Sequence, residues 1–255
     1  MSYDLSWTEL RYSVLYRKGS REFPFHLILS PISEAELVQL ERHTVRTHAV
    51  QGDGSTITEI EGPPGQECPE ETLFDAHFLG FFGASSNGHI EGRTVEELRR
   101  LVPAAVKRAA INNCVGGIKP KTVRVDSVKL EDLADNSVVL VTTVNGEEHE
   151  LTHEFSEPSG MDEIDFRRAS GGRIKTLPGR RRPEFRVLEQ FEAYPKLYDR
   201  LIESVSGYIV GGDSKLSQQN KASWVHLIPY AHKKVAVLQL FGSAEAGGGD
   251  EPGER

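Results

Sequence analysis

The feature that most constrains this chain is an internal repeat, because three sequence anchors recur in the same order in its two halves. The matched segments are residues 25–31 with 151–158, 73–75 with 197–199, and 101–108 with 227–234. The spacing is also kept: Pro31 and Pro103 are 72 residues apart, and Pro158 and Pro229 are 71 apart. Three ordered anchors at nearly constant spacing predict two diverged copies of one unit.

The first copy is predicted to be a β-hairpin followed by helices. Turn residues separate two apolar strands, and Ser33 with Glu36 forms a capping-box pattern at the start of a helix. Thr94 and Glu97 repeat that pattern further along. The predicted elements are strands at 10–16 and 23–29, a helix at 33–44, a loop at 50–72, a helix at 73–83, and a helix from Thr94 through Pro103 to about 114.

The second copy is predicted to repeat this order. Asn145-Gly146 is a strong hairpin signal, and the residues after it alternate between apolar and charged side chains. The predicted elements are strands at 138–144 and 150–155, a helix at 161–168, a largely helical stretch at 184–207, an extended turn at 208–212, and a final helix at 223–241.

Together these patterns predict an α+β protein made of two tandem copies of a β-hairpin followed by a small helical bundle. The predicted units are residues 1–120 and 121–242. Residues 243–255 are small, polar and rich in glycine, which is typical of a disordered tail.

Composition narrows the class of protein. The chain of 255 residues has no run of eighteen apolar residues and no basic, apolar leader, so neither a membrane span nor a signal peptide is predicted. Cys68 and Cys114 are far apart and outside any CxxC pair, which favours a reducing cytoplasm. The net charge of −8 argues against general nucleic-acid binding.

The sharpest chemical motif is HExxH, formed by His149, Glu150 and His153. On a helix, this pattern places two histidines on one face to bind zinc, with the glutamate as general base. Here the motif follows Asn145-Gly146 and alternates with period two, which predicts a strand. Histidines four residues apart in a strand are roughly 13 Å apart, too far to share one ion. Zinc hydrolysis therefore stays only as an alternative.

A second candidate is a cluster of cationic residues in the second half. Its residues are Arg173, Lys175, Arg180, Arg181, Arg182 and Arg186. The cluster could be a solvated loop, or a docking site for an acidic partner or for nucleic acid. No nucleophile motif, phosphate-binding loop or dinucleotide fingerprint accompanies it, so no catalytic residue and no cofactor are predicted.

Each half resembles small proteins of tailed bacteriophages, above all the tail assembly chaperones. The resemblance rests on residues 25–37 and 73–116 in the first half and on 151–168, 197–212 and 224–241 in the second, including Gly-x-Ile-x-Gly turns at 88–92 and 207–211. Such chaperones are usually a single unit, and the arginine-rich loop is not part of their pattern.

The resemblance implies a non-enzymatic assembly protein in the host cytoplasm. Its expected partners are other phage structural proteins, such as the tail tube or tape-measure protein, or a second copy of the chain. The doubled unit keeps open a second role as a virion component, such as a connector or baseplate protein. Zinc hydrolysis through His149 and His153 is the alternative from a different class.

Overall fold

The computed structural model describes residues 2–43, 46–50, 56–60, 68–83, 92–122, 136–170 and 191–242. The structure contains both helices and mainly antiparallel strands, which confirms the predicted α+β class. The predicted tail and residues 88–91 of the first Gly-x-Ile-x-Gly turn lie outside the described residues.

The first half contains β1 (Tyr3–Asp4), β2 (Leu10–Lys18), β3 (Arg21–Leu29), α1 (Glu34–His43), β4 (Arg46–Val50), β5 (Thr56–Ile60), α2 (Pro69–His77), β6 (Phe78–Phe81), α3 (Val95–Leu101) and α4 (Ala104–Gly116). The second half contains β7 (Ile118–Pro120), β8 (Ser137–Val144), β9 (Glu147–Phe155), α5 (Gly160–Ser170), α6 (Ala193–Leu201), β10 (Ile202–Ser206), β11 (Tyr208–Ile209), α7 (Lys221–Trp224) and α8 (Tyr230–Leu240).

Both hairpins form where they were predicted. In the first, β2 and β3 pair antiparallel, and β6 adds to the other side of β3, so the strand order is β2-β3-β6. In the second, the order is β10-β9-β8-β7 with antiparallel neighbours. Asn145 and Gly146 have φ of 56° and 81°, as a tight hairpin turn requires, because both central residues are left-handed.

Helix starts follow the capping signals. The Ser33 amide donates to a Glu36 carboxylate oxygen at 2.9 Å, and the Thr94 amide donates to Glu97 at the same distance. Ser159 and Asp162 make the equivalent pair ahead of α5, at 2.8 Å. These contacts satisfy amides that a helix start leaves without a backbone partner, and they confirm the predicted starts of α1 and α3.

The long helices predicted across Pro103 and toward residue 241 are wrong, because each is broken before a proline. Proline has no N–H and its ring crowds the preceding residue out of the helical region. Val102 has φ −72° and ψ 120°, and Ile228 has φ −62° and ψ 124°. The chain restarts as α4 after Pro103 and as α8 after Pro229, with a 3-10 turn at Val225–Leu227 before the second break.

The helices predicted at 73–83 and 184–207 are also wrong in their last parts. Each helix runs directly into a strand: α2 into β6, and α6 into β10. The junctions are alike, because the Ser30 amide donates to the His77 carbonyl and the Ser156 amide to the Leu201 carbonyl, both at 2.9 Å. Short apolar runs fit a helix or a strand equally well, and here the open edges of β3 and β9 select the strand.

The loop predicted at 50–72 is wrong in part. It contains β5 and the beginning of α2, and β4 and β5 pair as an antiparallel hairpin. Glycine and proline favoured a loop, but β-branched residues at 56–60 support a strand. Strands β1 and β7 were not predicted, since each has only two or three residues.

One hydrophobic core joins the two halves. It includes Leu29 and Phe74 of the first half with Leu140 and Trp224 of the second. Helices α4 and α8 contact each other, and α8 also packs on β7 and β8. The boundary predicted at residue 120 stays a prediction; it falls at the end of β7, which pairs with the second hairpin. No helix in the described part of the chain is both long and apolar enough to cross a membrane.

Candidate functional site

The HExxH residues lie on β9, as the alternation predicted. From residue 148 to 155 every second residue is buried, and His149 and His153 are among these core residues with 1 % and 0 % exposure. Glu150 lies on the opposite face, where its carboxylate contacts the Lys121 ammonium at 2.5 Å. The strand therefore separates the glutamate from both histidines.

This arrangement does not match a zinc site. Four residues of extended strand put the two histidines roughly 13 Å apart at the backbone. Both ring nitrogens of His153 are within hydrogen-bond distance of tyrosine hydroxyls, 2.7 Å from Tyr198 and 3.2 Å from Tyr208. Across the residues that the structure describes, no group of three or more His, Cys, Asp or Glu side chains is placed to hold a metal ion.

The tyrosine contacts of His153 belong to a longer buried network, here called the histidine–tyrosine chain. It runs from Tyr198 to His153, to Tyr208 and to His232, with the last link of 2.8 Å between the Tyr208 hydroxyl and His232 Nδ1. The two tyrosine rings are fully buried, and His232 is 5 % exposed. Strand β9, helix α6, strand β11 and helix α8 each contribute one member.

All four members of this chain are uncharged. Burial lowers the pKa of His153 to about 3, with a further lowering from His232 nearby, and burial lowers the pKa of His232 to about 3 as well. Burial also raises the pKa of Tyr198 and of Tyr208 well above the usual value of tyrosine. Water is excluded from these groups, and a charge placed there would lose its hydration without a counter-ion.

The hydrogen bonds of the chain are consistent with neutral rings. A neutral imidazole supplies one donor and one acceptor. If Tyr208 donates to His232, it can accept from His153 Nε2, which leaves His153 Nδ1 to accept from Tyr198. One choice of tautomer therefore sets the direction of all three bonds. Such a chain fixes the relative positions of four elements, but it offers neither a charged base nor an activated nucleophile.

Tyr3 closes the histidine–tyrosine chain from the N-terminal side. Its strand β1 pairs in parallel with β11, and the Tyr3 amide donates to the Gly207 carbonyl at 2.7 Å. The Tyr3 ring packs edge-on against His149, Tyr208 and His232, with centroid distances of 5.8, 5.8 and 5.2 Å. The first residues of the chain therefore complete the core of the second half.

A cavity of about 380 Å³ lies beside Tyr3, at the junction of the two halves. Its lining includes Tyr3, Trp7, Tyr12, Leu37, Cys114 and His232. The walls are mainly aromatic and aliphatic, and the volume is near the lower limit of small-molecule sites. Burial raises the pKa of Cys114 to about 12, so its thiol stays protonated and unreactive.

Ion pairs cross the same junction. The Lys233 ammonium, only 1 % exposed, lies 2.8 Å from Asp199 Oδ1 and 3.0 Å from Glu34 Oε2. Lys234 pairs with Glu41 at 2.7 Å, and the Tyr230 hydroxyl donates to the other oxygen of the same carboxylate. Helix α1 of the first half is thereby held on α8 of the second by two lysines.

The predicted arginine-rich cluster lies outside the described residues, so its docking role stays a prediction. This holds for all six of its members: Arg173, Lys175, Arg180, Arg181, Arg182 and Arg186. The nearby Arg167 and Arg168 are described on α5, where they pair with Glu163 at 3.3 Å and Asp165 at 3.8 Å. Both cysteines are free thiols.

Sequence reasoning missed most of the histidine–tyrosine chain, because Tyr198, Tyr208 and His232 match no motif. A usable signal was present in the repeat alignment. It pairs Phe74 with Tyr198, so one apolar core position acquires a hydroxyl in the second half. A polar residue at a matched core position indicates a buried hydrogen-bond partner elsewhere.

Comparison with known proteins gives no relative: no family model, no curated protein and no solved structure matches this chain.

Proposed function

We propose that this chain is two diverged copies of one unit and that it acts as a non-enzymatic assembly protein of a tailed bacteriophage, binding the surfaces of partner proteins. Other phage structural proteins, such as the tail tube or tape-measure protein, are the proposed partners, and the host cytoplasm is the proposed site of action. The observation that carries the binding role is the pattern of apolar side chains left exposed on regular elements.

The duplication is supported by contacts that recur at matched positions. Lys107 lies 2.7 Å from Asp75 and 5.8 Å from the centre of the Phe74 ring. Lys233 lies 2.8 Å from Asp199 and 5.9 Å from the centre of the ring at position 198. In each half, a hairpin also gains a third strand that continues directly from a helix. Shared ancestry accounts for such coincidence of side-chain and backbone detail better than convergence does.

The binding role is supported by a contrast between α1 and α5. Val38 on α1 and Ile164 on α5 both lie two positions after the capping acid of their helix. Val38 is 7 % exposed, whereas Ile164 is 42 % exposed, and Met161 beside it is 62 % exposed. Helix α1 packs on α2 and α8, so its apolar stripe is covered. An apolar pair left open on α5 is suited to contact with another protein.

The non-enzymatic part of the proposal is supported by the state of the HExxH histidines. Both are core residues, and His153 uses its ring nitrogens to hold two tyrosines. A catalytic histidine has to reach its substrate, and these side chains face away from solvent.

Co-expression with the structural proteins encoded near this gene tests the proposal. We expect a stable complex that survives gel filtration, and we expect Met161→Glu with Ile164→Glu to reduce its yield at least tenfold. The melting temperature of the free protein should not change, because both side chains are exposed. Glu163→Gln, an exposed change on a different face of α5, is the control. A chain that stays unbound beside all these proteins would contradict the proposal.

Mass spectrometry of purified particles separates the two forms of the proposal. An assembly chaperone leaves the particle and should be absent from it, whereas a connector or baseplate protein remains in stoichiometric amount. Metal analysis of the purified protein addresses the zinc alternative, for which we expect less than one-tenth equivalent of zinc in the native protein and in His149→Ala.

A further inference from the structure

The outer edge of β2 is a row of backbone hydrogen-bonding groups with no paired strand among the described residues. Within the described residues, β3 is the only strand that pairs with β2. The His26 carbonyl of β3 accepts from Phe82, on the side of β6. Neighbouring residues of a strand face opposite ways, so Phe25 and Leu27 face β2, and their partners Val14 and Tyr12 face back toward β3.

It follows that Ser13, Leu15 and Arg17 direct their N–H and C=O groups away from the sheet. One contact verifies this direction: the Arg11 amide, two residues earlier, donates outward to the side-chain oxygen of Asn145 at 2.8 Å. Beyond that contact, the described residues offer no hydrogen-bond partner for the outward backbone groups of Leu15 and Arg17, and Leu15 is 53 % exposed. An exposed edge of this kind is a template for an added strand.

The second half shows what such an edge binds. There the matching strand is β8, and its edge is covered by β7, a three-residue strand that pairs with residues 140–142. The Lys121 amide donates to the Val139 carbonyl at 2.8 Å, and Val139 is the counterpart of Ser13. The covering strand comes from the connection after α4, so within this chain the edge is filled by an extended segment from outside the hairpin.

The hairpins that carry these two edges differ in charge. The second hairpin carries four carboxylates and no lysine or arginine between residues 137 and 155, and its covering strand brings Lys119 and Lys121. One of these lysines pairs with Glu150. The first hairpin is mainly cationic. Its charged residues are Arg11, Arg17, Lys18 and Arg21, with one carboxylate, Glu22.

We propose that the edge of β2 binds an extended acidic segment of a partner protein as an additional strand. The inference rests on the proposed protein-binding function and names the surface and the chemistry of the partner. Pairing with β2 of a second copy is disfavoured, because antiparallel addition would place two cationic hairpins side by side. A partner segment with glutamates at the positions of Lys119 and Lys121 would hydrogen-bond to the backbone edge of β2. Its carboxylates would also pair with the cationic side chains of the first hairpin.

Two synthetic peptides added to the full chain test the proposal. One has the sequence of residues 116–121, and the other is the same peptide with Lys119→Glu and Lys121→Glu. Amide NMR spectra report on each residue of β2. We expect the acidic peptide to shift the Leu15 amide and to slow its exchange with solvent, with at least tenfold tighter binding than the basic peptide and weakening in high salt.

Variants separate strand addition from loose charge attraction. Leu15→Pro removes the outward N–H without removing a bond to β3, so the acidic peptide should no longer bind, whereas Leu15→Thr keeps the N–H and should retain binding. Lys18→Glu with Arg21→Glu should reverse the preference between the two peptides. These two exposed residues form the last strand pair before the turn, so this variant tests charge far from the Leu15 amide.

Several outcomes would overturn the inference while leaving the assembly role intact. These are equal binding of the two peptides, retained binding in Leu15→Pro, or no response of the Leu15 amide to either peptide at millimolar concentration. Protection of this amide without any peptide also counts against it. If that protection depends on protein concentration, the occupant is a second copy; if it disappears when residues 243–255 are removed, the occupant is this chain's own tail.

Discussion

The two halves each contain a hairpin extended by a strand that follows a helix, but they differ in what their cores contain. Under the proposed duplication, three core positions are apolar in the first half and polar in the second: Leu27 and His153, Phe74 and Tyr198, Val106 and His232. All six side chains are buried to 5 % exposure or less. The lysine–aspartate contacts beside them recur in both halves. An arrangement of this kind therefore accepts either an apolar core or a core with buried hydrogen bonds.

The difference shows the condition under which a polar core is tolerated. A buried hydroxyl or imidazole costs about 1–3 kcal/mol when it has no partner, but a satisfied network can be close to neutral. In the second half several core positions are polar together, and these groups are hydrogen-bond partners of one another. Geometry and specificity of packing, rather than net stability, are what such a network provides.

The largest expected difference between the halves appears in mild acid. The folded pKa of His153 and of His232 is about 3, below the unfolded value of about 6.5, so the unfolded chain binds protons that the folded chain does not. Their contribution to stability is complete above about pH 6.5 and is lost as pH falls toward 3. We expect the free energy of unfolding to drop by about 4 kcal/mol between pH 7 and pH 5. Urea titrations at each pH measure this free energy of unfolding.

A four-residue variant provides the control: His153→Leu, Tyr198→Phe, Tyr208→Phe and His232→Val. This variant gives the second half the apolar character of the first and should flatten the pH dependence between pH 7 and pH 5. An unchanged slope in the variant would show that other groups cause the acid sensitivity.

The second prediction concerns His153→Leu alone, which introduces the residue found at position 27. The change leaves the hydroxyls of Tyr198 and Tyr208 without their shared partner, and we expect a loss of about 3 kcal/mol. The four-residue variant should lose less than this single change, because it removes the hydroxyls as well. Urea unfolding at pH 7.5 measures both. If the four-residue variant instead lost the sum of the losses of its single changes, the histidine–tyrosine chain would not be a coupled unit.

The third prediction compares two glycines that follow strands β6 and β10, Gly83 and Gly207, each with φ of +85°. A methyl group on Gly207 would collide with the backbone carbonyl of Glu150, whereas one on Gly83 would meet only the His26 ring at 3.6 Å. Gly207→Ala should cost about 2 kcal/mol and Gly83→Ala about 1 kcal/mol, since both add backbone strain but only one adds a clash. Thermal unfolding in matched buffer gives the comparison, and equal losses would refute the close approach of β9.

The smallest expected losses of stability are at the two lysines that the repeat aligns. Lys233 is buried and contacts two carboxylates, while the side chain of Lys107 is 12 % exposed and contacts Asp75 closely. The carboxylates of Glu34 and Asp199 are 40 % and 42 % exposed, so water will partly solvate them once the lysine is gone. We expect Lys233→Met to cost about 1.5 kcal/mol and Lys107→Met about 0.5 kcal/mol. A larger loss for Lys107→Met, measured by urea unfolding, would reverse this order.

The parts of the fold predicted correctly depend on neighbouring residues. Asn145-Gly146 predicted the second hairpin, and Ser33 with Glu36 predicted the start of α1. The period-two alternation of residues 150–155 correctly predicted that His149 and His153 lie on a strand. The candidate site was predicted less well. The partners of His153 come from positions 198 and 208, and nothing in the local sequence of β9 indicates them.

What the sequence alone determined is therefore local: hairpin turns, helix caps, the alternation of β9 and the matched anchors of the two halves. Tertiary structure decided the rest. Residues 78–81 and 202–206 became strands because β3 and β9 each had an edge to fill, and β7 formed because β8 did too. A strand needs a hydrogen-bonding partner from elsewhere in the chain, as does a buried imidazole. The physical reason is the same in both cases, since polar groups removed from water must be satisfied by whichever segment the fold brings near.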